Sequence, residues 1–332
     1  MQSSDSSPIS VAYAAPFWLP GGHAQTIYPA LLPGPAVAYR RERIDTPDGD
    51  FWLFDWLVDA APRAANSPLV VLFHGLEGSS GSHYALTLMV RLAALGWRGI
   101  VPHFRGCGGE PNRLPRAYHS GDHAEVAAMI KAIRARVDPL TPVFAFGMSL
   151  GGSALLNWLG RAGADAANTI SAAAAVSTPL DLVASGTSID KGFNRFVYAQ
   201  SFLRTLKPKA IAMERRFPGL IDTRRVGRAT TMREFDDAVT APLHGFAGTD
   251  DYWTRASSKP WLRHVSVPTL VLNAKNDPFV PGVSLPDAKD VSPLVILEQP
   301  PGGGHAGFAA PPAPGNIHWL AKRVTEFFAT GR

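Results

Sequence analysis

Short apolar runs recur along the chain at residues 68–73, 99–104, 142–146, 169–176, 267–273 and 292–298. They have strand length and end in turn-forming residues, so they read as strands. The run 68–73 is apolar throughout, which predicts a strand buried on both faces. Between the runs, apolar residues fall at helical spacing. Helices are predicted over 84–95, stopped by Gly96, over 120–137 with Ser120 as cap and Asp122 in the first turn, and over 316–328. A further helical pattern follows residue 149 through Ala154, Leu155, Leu156, Trp158 and Leu159. Residues 37–45 and 51–58 read as an edge hairpin around the turn Thr46-Pro47-Asp48-Gly49. Residues 16–29 read as an irregular arm whose aromatics cover a flank of the core. The alternation of strand and helix predicts an α/β fold: a mostly parallel eight-stranded sheet flanked by helices.

After the sixth predicted strand the alternation stops. Residues 179–262 are mixed, basic and aromatic, with Phe193, Phe196, Tyr198, Phe202, Phe235 and Trp253 among them. Structureless loops of that length are rare in compact domains. The segment is therefore expected to be a helical lid, most of whose aromatics form its own small core. The expected organisation is a first core part at 1–178 with an N-terminal arm at 1–36, the lid at 179–262, and a second core part at 263–332.

Composition adds limits. Of the 332 residues 46% are apolar, enough for a sizeable core. The single cysteine, Cys107, excludes an internal disulfide and fits a reducing compartment. Residues 1–8 are polar and read as frayed, without the pattern of a secretory signal, and no run reaches the ~20 apolar residues of a membrane span. A soluble, cytoplasmic protein is expected. The net charge of +5 raises nucleic-acid binding, but no recognition motif supports it. Arg215, Arg216, Arg224, Arg225 and Arg228 concentrate basic charge in the insertion. A solvated face is the plain reading, and a peripheral lipid or membrane surface is the partner such a patch would suit.

The candidate chemistry centres on Gly147-Met148-Ser149-Leu150-Gly151, between a predicted strand and a predicted helix. Strand, Gly-x-Ser-x-Gly, helix is the pattern of a nucleophile elbow. The turn holds the serine in a strained conformation, and glycines at 147 and 151 remove clashes. The helix start supplies an electropositive end for an anionic intermediate. Downstream, Asp277 follows the strand 267–273, and His305 ends a glycine-rich loop after the last strand. Nucleophile, acid and base thus occur in the order this architecture uses. The loop His74-Gly75-Leu76-Glu77-Gly78 follows strand 68–73. It supplies the second of two backbone N–H donors for an oxyanion, assigned to Leu76 and Leu150. Other groups read as structural: His23 as a hydrogen-bonded histidine, and Cys107 as a thiol without a base. His119 and His123 are spaced to share a helix face, with no third metal ligand.

With these motifs in place the chain resembles the α/β-hydrolase superfamily, and within it the YheT-type esterase family. That family is related to eukaryotic α/β-hydrolase-domain phospholipases and to yeast medium-chain acyltransferase/esterases. The resemblance covers most of the chain. It runs from Gly22-His23-x-Gln25-Thr26 through His74-Gly75-Leu76-x-Gly78, Arg105-Gly106-Cys107-Gly108-Gly109 and Tyr118-His119-Ser120-Gly121. It continues through Glu234-Phe235-Asp236 and Asp251-Tyr252-Trp253 to His305. It implies an α/β-hydrolase fold with a helical lid inserted after the sixth strand. It also implies a charge-relay triad of Ser149, Asp277 and His305, and a small-molecule acyl ester as substrate. No metal or organic cofactor is implied. Where the family often carries a second tyrosine, this chain has Trp253, so the pocket shape is expected to differ. Short- to medium-chain esters are expected. The same triad would serve an alcohol acyltransferase or a lipase, and a non-catalytic binding module is the reading from outside enzymology.

Overall fold

The computed structural model describes residues 13–58, 64 and 66–331. The polar stretch at residues 1–8 lies outside them. Eight strands form one sheet: β1 (Tyr39–Asp45), β2 (Phe51–Leu57), β3 (Leu69–Phe73), β4 (Arg98–His103), β5 (Val143–Met148), β6 (Ala172–Val176), β7 (Thr269–Leu272) and β8 (Val295–Glu298). Their order is β1-β2-β4-β3-β5-β6-β7-β8. The hairpin β1–β2 is antiparallel and meets β4 antiparallel, and every other pairing is parallel. This is the α/β-hydrolase fold expected from the sequence.

The period of two along each strand divides the core between the faces of the sheet. Leu69, Val71 and Phe73 of β3 join Val143 and Ala145 of β5 in one cluster. That cluster is covered by α3 (His123–Arg134) and α4 (Leu150–Ala162). Val70, Leu72, Phe144, Phe146 and Met148 point the other way, under α2 (His83–Ala94) and the C-terminal helix His318–Thr330. With both faces covered, β3 and β5 are buried at every position.

Three local expectations are corrected. The arm contains a helix, α1 (Gly21–Leu31), despite Gly21, Gly22 and Pro29. Pro29 stands two residues from its C-terminal end, and Gly22 lies where a Cβ would strike the carbonyl of Asn276. Helix α3 begins at His123 after Asp122, so Ser120 is not its cap; the Ser120 N–H instead donates to the Tyr252 hydroxyl at 3.1 Å. His119 lies ahead of that helix and packs on His244 with ring centroids 4.5 Å apart, so His119 and His123 do not share a helix face.

Between β6 and β7 the chain is helical. The longest piece, Gln200–Arg216, continues from a wide turn of helix at Arg195–Ala199. Leu203, Leu206, Val226, Phe235 and Val239 form a separate apolar cluster within this insertion. Tyr252 and Trp253 form another with Leu182 and Ala256. Phe193 and Phe196 depart from the expectation of an internal aromatic core: they are 51% and 74% exposed.

Candidate active site

The loops after β3, β5, β7 and β8 leave the same edge of the sheet and converge. Ser149 occupies the corner between β5 and α4 with φ 51° and ψ −120°, a region that non-glycine residues rarely adopt. Its N–H donates to the Val176 carbonyl at 2.9 Å, and its carbonyl accepts from the Ser153 N–H at 3.1 Å. The flanking glycines are there for contact. A Cβ at Gly147 would lie 2.6 Å from the Gly152 Cα, and one at Gly151 would strike the Phe73 and His74 carbonyl oxygens. The corner is therefore pressed against the end of β3.

His305 bridges serine and acid. Its Nε2 is 3.0 Å from Ser149 Oγ, and its Nδ1 is 2.8 Å from Asp277 Oδ2. An ionised carboxylate only accepts, so Nδ1 carries the proton and Nε2 is left to accept from the serine hydroxyl. Asp277 cannot swing away: its Oδ1 accepts the N–H groups of Phe279 at 2.8 Å and Val280 at 3.2 Å. The Asp277 side chain is fully buried, and that of His305 is 10% exposed. Phe279 covers the imidazole with ring centroids 4.2 Å apart.

The histidine loop is held from outside the sheet. The His305 N–H donates to Thr26 Oγ1 at 2.9 Å, and the Ala306 N–H to Ser177 Oγ at 2.9 Å. Gln25 Oε1 accepts from Gly303 N–H at 2.7 Å and Asn276 Nδ2 at 2.9 Å. Helix α1 thus ties the acid turn to the base loop. This role for Gln25 and Thr26 was not legible beforehand, and their place in the Gly22-His23-x-Gln25-Thr26 motif was the only available signal. His23 is hydrogen-bonded, as expected, with Nδ1 3.1 Å from the Tyr198 hydroxyl.

Leu76 and Leu150, from different elements, line the same cavity as Ser149 and His305. Leu150 opens α4, where the first amides of a helix have no intrahelical partner. Leu76 stands in a turn closed by the Gly78 N–H on the Gly75 carbonyl at 3.0 Å. His74 fixes the root of that turn. Its Nε2 accepts the Phe104 N–H at 3.2 Å, which leaves Nδ1–H to donate to the Gly75 carbonyl at 2.8 Å. Burial pushes the His74 pKa down to about 3, so the ring is neutral and its tautomer fixed. Cys107 lies near by with its thiol pushed up to about 12 by burial, which leaves it protonated.

A cavity of about 530 Å³ opens onto Ser149 and His305. Most of its wall is apolar, with Leu76 and Leu150 from the core and Phe202, Phe235 and Trp253 from the insertion. Its size and lining are those of small-molecule sites. Trp253 donates its indole N–H to Asp236 Oδ2 at 2.8 Å, so the tryptophan at this position is anchored by a buried carboxylate.

The alpha/beta hydrolase fold family matches residues 68–310. This chain is an α/β-hydrolase of the YheT family. It is 36% identical to YheT of Escherichia coli (strain K12) over 318 residues, covering 93% of this chain and 90% of that one. It is 31% identical to Phospholipase ABHD3 of Homo sapiens over 310 residues, covering 90% of this chain and 74% of that one. Among solved structures, the Pyrococcus furiosus esterase Pf2001 superimposes with a TM-score of 0.56 at 15% identity, covering 88% and 91% of the two chains; at that identity the likeness concerns the fold. Among the described residues of this α/β-hydrolase no helix is long and apolar enough to cross a membrane.

Proposed function

We propose that this α/β-hydrolase is a serine esterase acting on short- to medium-chain acyl esters, with Ser149, His305 and Asp277 as its triad. The observation that carries the reading is the unbroken chain of contacts from Ser149 Oγ to His305 at 3.0 Å and on to Asp277 at 2.8 Å. His305 Nε2 takes the hydroxyl proton as Oγ bonds to the ester carbonyl carbon, and the carbonyl π electrons move onto oxygen. The N–H groups of Leu76 and Leu150 hold that oxyanion, each donor worth roughly 2.7–4 kcal/mol. Collapse expels the alkoxide, which leaves with the Nε2 proton. Water then attacks the acyl-enzyme with His305 again as base, the acyl carbon–Oγ bond breaks, Oγ takes the proton back from Nε2, and the carboxylic acid departs.

In this reading residues 179–262 act as a lid that shapes the cavity and excludes water. Its apolar wall suits an acyl chain. The lid also suits an anionic lipid interface: residues 191–233 hold eleven Lys and Arg against two Asp and Glu, net +9, in a chain that is +5 overall, with Lys209, Arg225 and Arg233 paired to Glu77, Asp237 and Asp250. The exposed Phe193 and Phe196 lie in the same stretch. Sedimentation with vesicles of anionic against zwitterionic lipid tests that contact. The lone, protonated Cys107 fits a cytoplasmic setting.

Ser149→Ala tests the catalytic reading. It is expected to abolish turnover of p-nitrophenyl butyrate and labelling by a fluorophosphonate probe, with thermal unfolding nearly unchanged. Retained turnover in a clean preparation would falsify the assignment.

A further inference from the structure

We infer that Glu77, held by Tyr118 from the core and Lys209 from the inserted helix, aims the Leu76 N–H at the oxyanion, so that the insertion sets the catalytic competence of the oxyanion loop. The inference rests on the reading of Leu76 as an oxyanion donor.

The loop 75–78 is a single turn, and the amides on either side of Leu76 are both tied to tyrosine hydroxyls. The Gly75 N–H donates to the Tyr84 hydroxyl at 2.9 Å, and the Glu77 N–H to the Tyr118 hydroxyl at 2.8 Å. With both neighbours fixed, the peptide plane that carries the Leu76 N–H has little freedom to turn. Tyr118 is itself a rigid post. Its ring stacks on Phe104 with centroids 5.3 Å apart and planes 6° from parallel, and stands edge-on to His74 at 6.3 Å.

Glu77 needs holding because its φ is 55°, a left-handed conformation that a residue with a side chain keeps only when its surroundings impose it. Four contacts do so. The Tyr118 hydroxyl accepts the Glu77 N–H and donates to Glu77 Oε1 at 3.2 Å. Lys209 Nζ lies 2.9 Å from Oε1 and 2.8 Å from Oε2. The carboxylate is nearly buried, with its side chain 11% exposed, while that of Lys209 is 48% exposed. Lys209 belongs to the helix Gln200–Arg216, and it lines the same cavity as Glu77, Ser149 and His305. The lid helix is therefore one ion pair away from the residue beside the oxyanion donor. An ion pair serving only to fasten the lid would act on substrate entry and stability. One that aims an amide acts on the transition state.

The test is a kinetic cycle on the full chain, with Tyr118→Phe, Lys209→Met and the double variant, p-nitrophenyl butyrate as substrate, and Ser149→Ala as control. Tyr118→Phe is expected to lower kcat about 10–30-fold with KM within about twofold, below the 10²–10³ loss of a whole donor. Lys209→Met is expected to lower kcat about 3–10-fold with the same split, and Lys209→Arg to restore it. An aliphatic trifluoromethyl ketone, whose adduct with Ser149 carries the oxyanion, should lose affinity by the same factors. The double variant should lose less than the product of the two single effects, because both act through Glu77. Single variants with kcat unchanged, effects confined to KM, or strictly multiplicative losses would overturn the inference while leaving the esterase reading intact. Ester turnover that is absent from the wild type, or that persists in Ser149→Ala, would overturn both. A variant that loses its cooperative unfolding transition is replaced by Glu77→Gln, which keeps the shape and removes the charge; the same split is expected, and its absence counts against the inference.

Discussion

The side-chain carbonyl of Gln25 accepts a hydrogen bond from the Gly303 N–H at 2.7 Å, joining the first helix of the described chain to the loop that presents His305. The two residues are 278 positions apart in sequence. The same oxygen accepts from Asn276, whose own Oδ1 receives the Gly304 N–H at 3.0 Å. Acid turn, base loop and α1 are therefore tied together. Gly307 completes the fit, since a Cβ there would strike the Gln25 carbonyl.

Gln25→Ala removes that shared acceptor from the buried Gly303 N–H and the part-buried Asn276 amide. We expect a loss of about 1–3 kcal/mol in unfolding free energy, by the cost of unpaired buried polar groups. Misplacement of His305 should lower kcat/KM by about 10–100-fold, as small displacements of reacting groups do. Urea unfolding alongside ester kinetics checks both; wild-type kinetics in a destabilised variant would refute the positioning role.

The elbow glycines can be tested against a glycine where an added Cβ would meet nothing. Gly151→Ala places a methyl against the backbone carbonyls of β3's last residue and of His74, which cannot yield as a flexible side chain can. Overpacking of this kind costs about 1–3 kcal/mol or more, and it should also displace Ser149 and remove most activity. Gly227→Ala, in the helix Thr223–Arg228 with open space around it, is expected to be neutral or to stabilise by up to about 1 kcal/mol. Equal outcomes for the two would show that the elbow is not tight.

Asp236 gives a pH dependence with a defined sign. Burial, aided by the nearby Asp190, pushes its pKa up to about 6, against the hydrogen bonds from Thr240 and Trp253 that favour the charge. The folded state thus binds this proton more tightly than the unfolded state does. The stability from this group is fully present below the ordinary carboxylate pKa and is lost as pH rises through about 6. Asp236→Asn cannot ionise, so its stability relative to wild type should improve by about 1–3 kcal/mol between pH 4 and pH 8. A difference independent of pH would refute the shift.

Cys107 should be a poor nucleophile despite lining the cavity. Burial pushes its pKa up to about 12, which keeps the thiol protonated at pH 8. We expect negligible reaction with a disulfide reagent in the native protein and rapid reaction in guanidinium. Fast native labelling would contradict the burial argument.

Much of this protein could be read from local pattern. The strands lie where the apolar runs predicted them, though β6 begins at Ala172 rather than 169 and β8 at Val295 rather than 292, because the residues before each form turns closed by the Ile170 N–H on Ala166 and the Val295 N–H on Ser292. Ser149, Asp277 and His305 were legible because each follows a recognisable strand in the order the architecture demands. Helix α1 was not, since two glycines and a proline argue against a helix unless something packs on it. That something is Asn276, far along the chain.

Sequence by itself determined the alternation of strand and helix and the strained serine corner, and it singled out Ser149, Asp277 and His305 as the candidate triad, because strand period, helix period and turn chemistry are local properties. Tertiary structure alone decided which residues hold the loops around them: Gln25 on Gly303, Tyr118 and Lys209 on Glu77, His74 beneath the turn. These are side-chain contacts between segments that share no spacing rule, so their energies exist only once the sheet edge has brought the loops together.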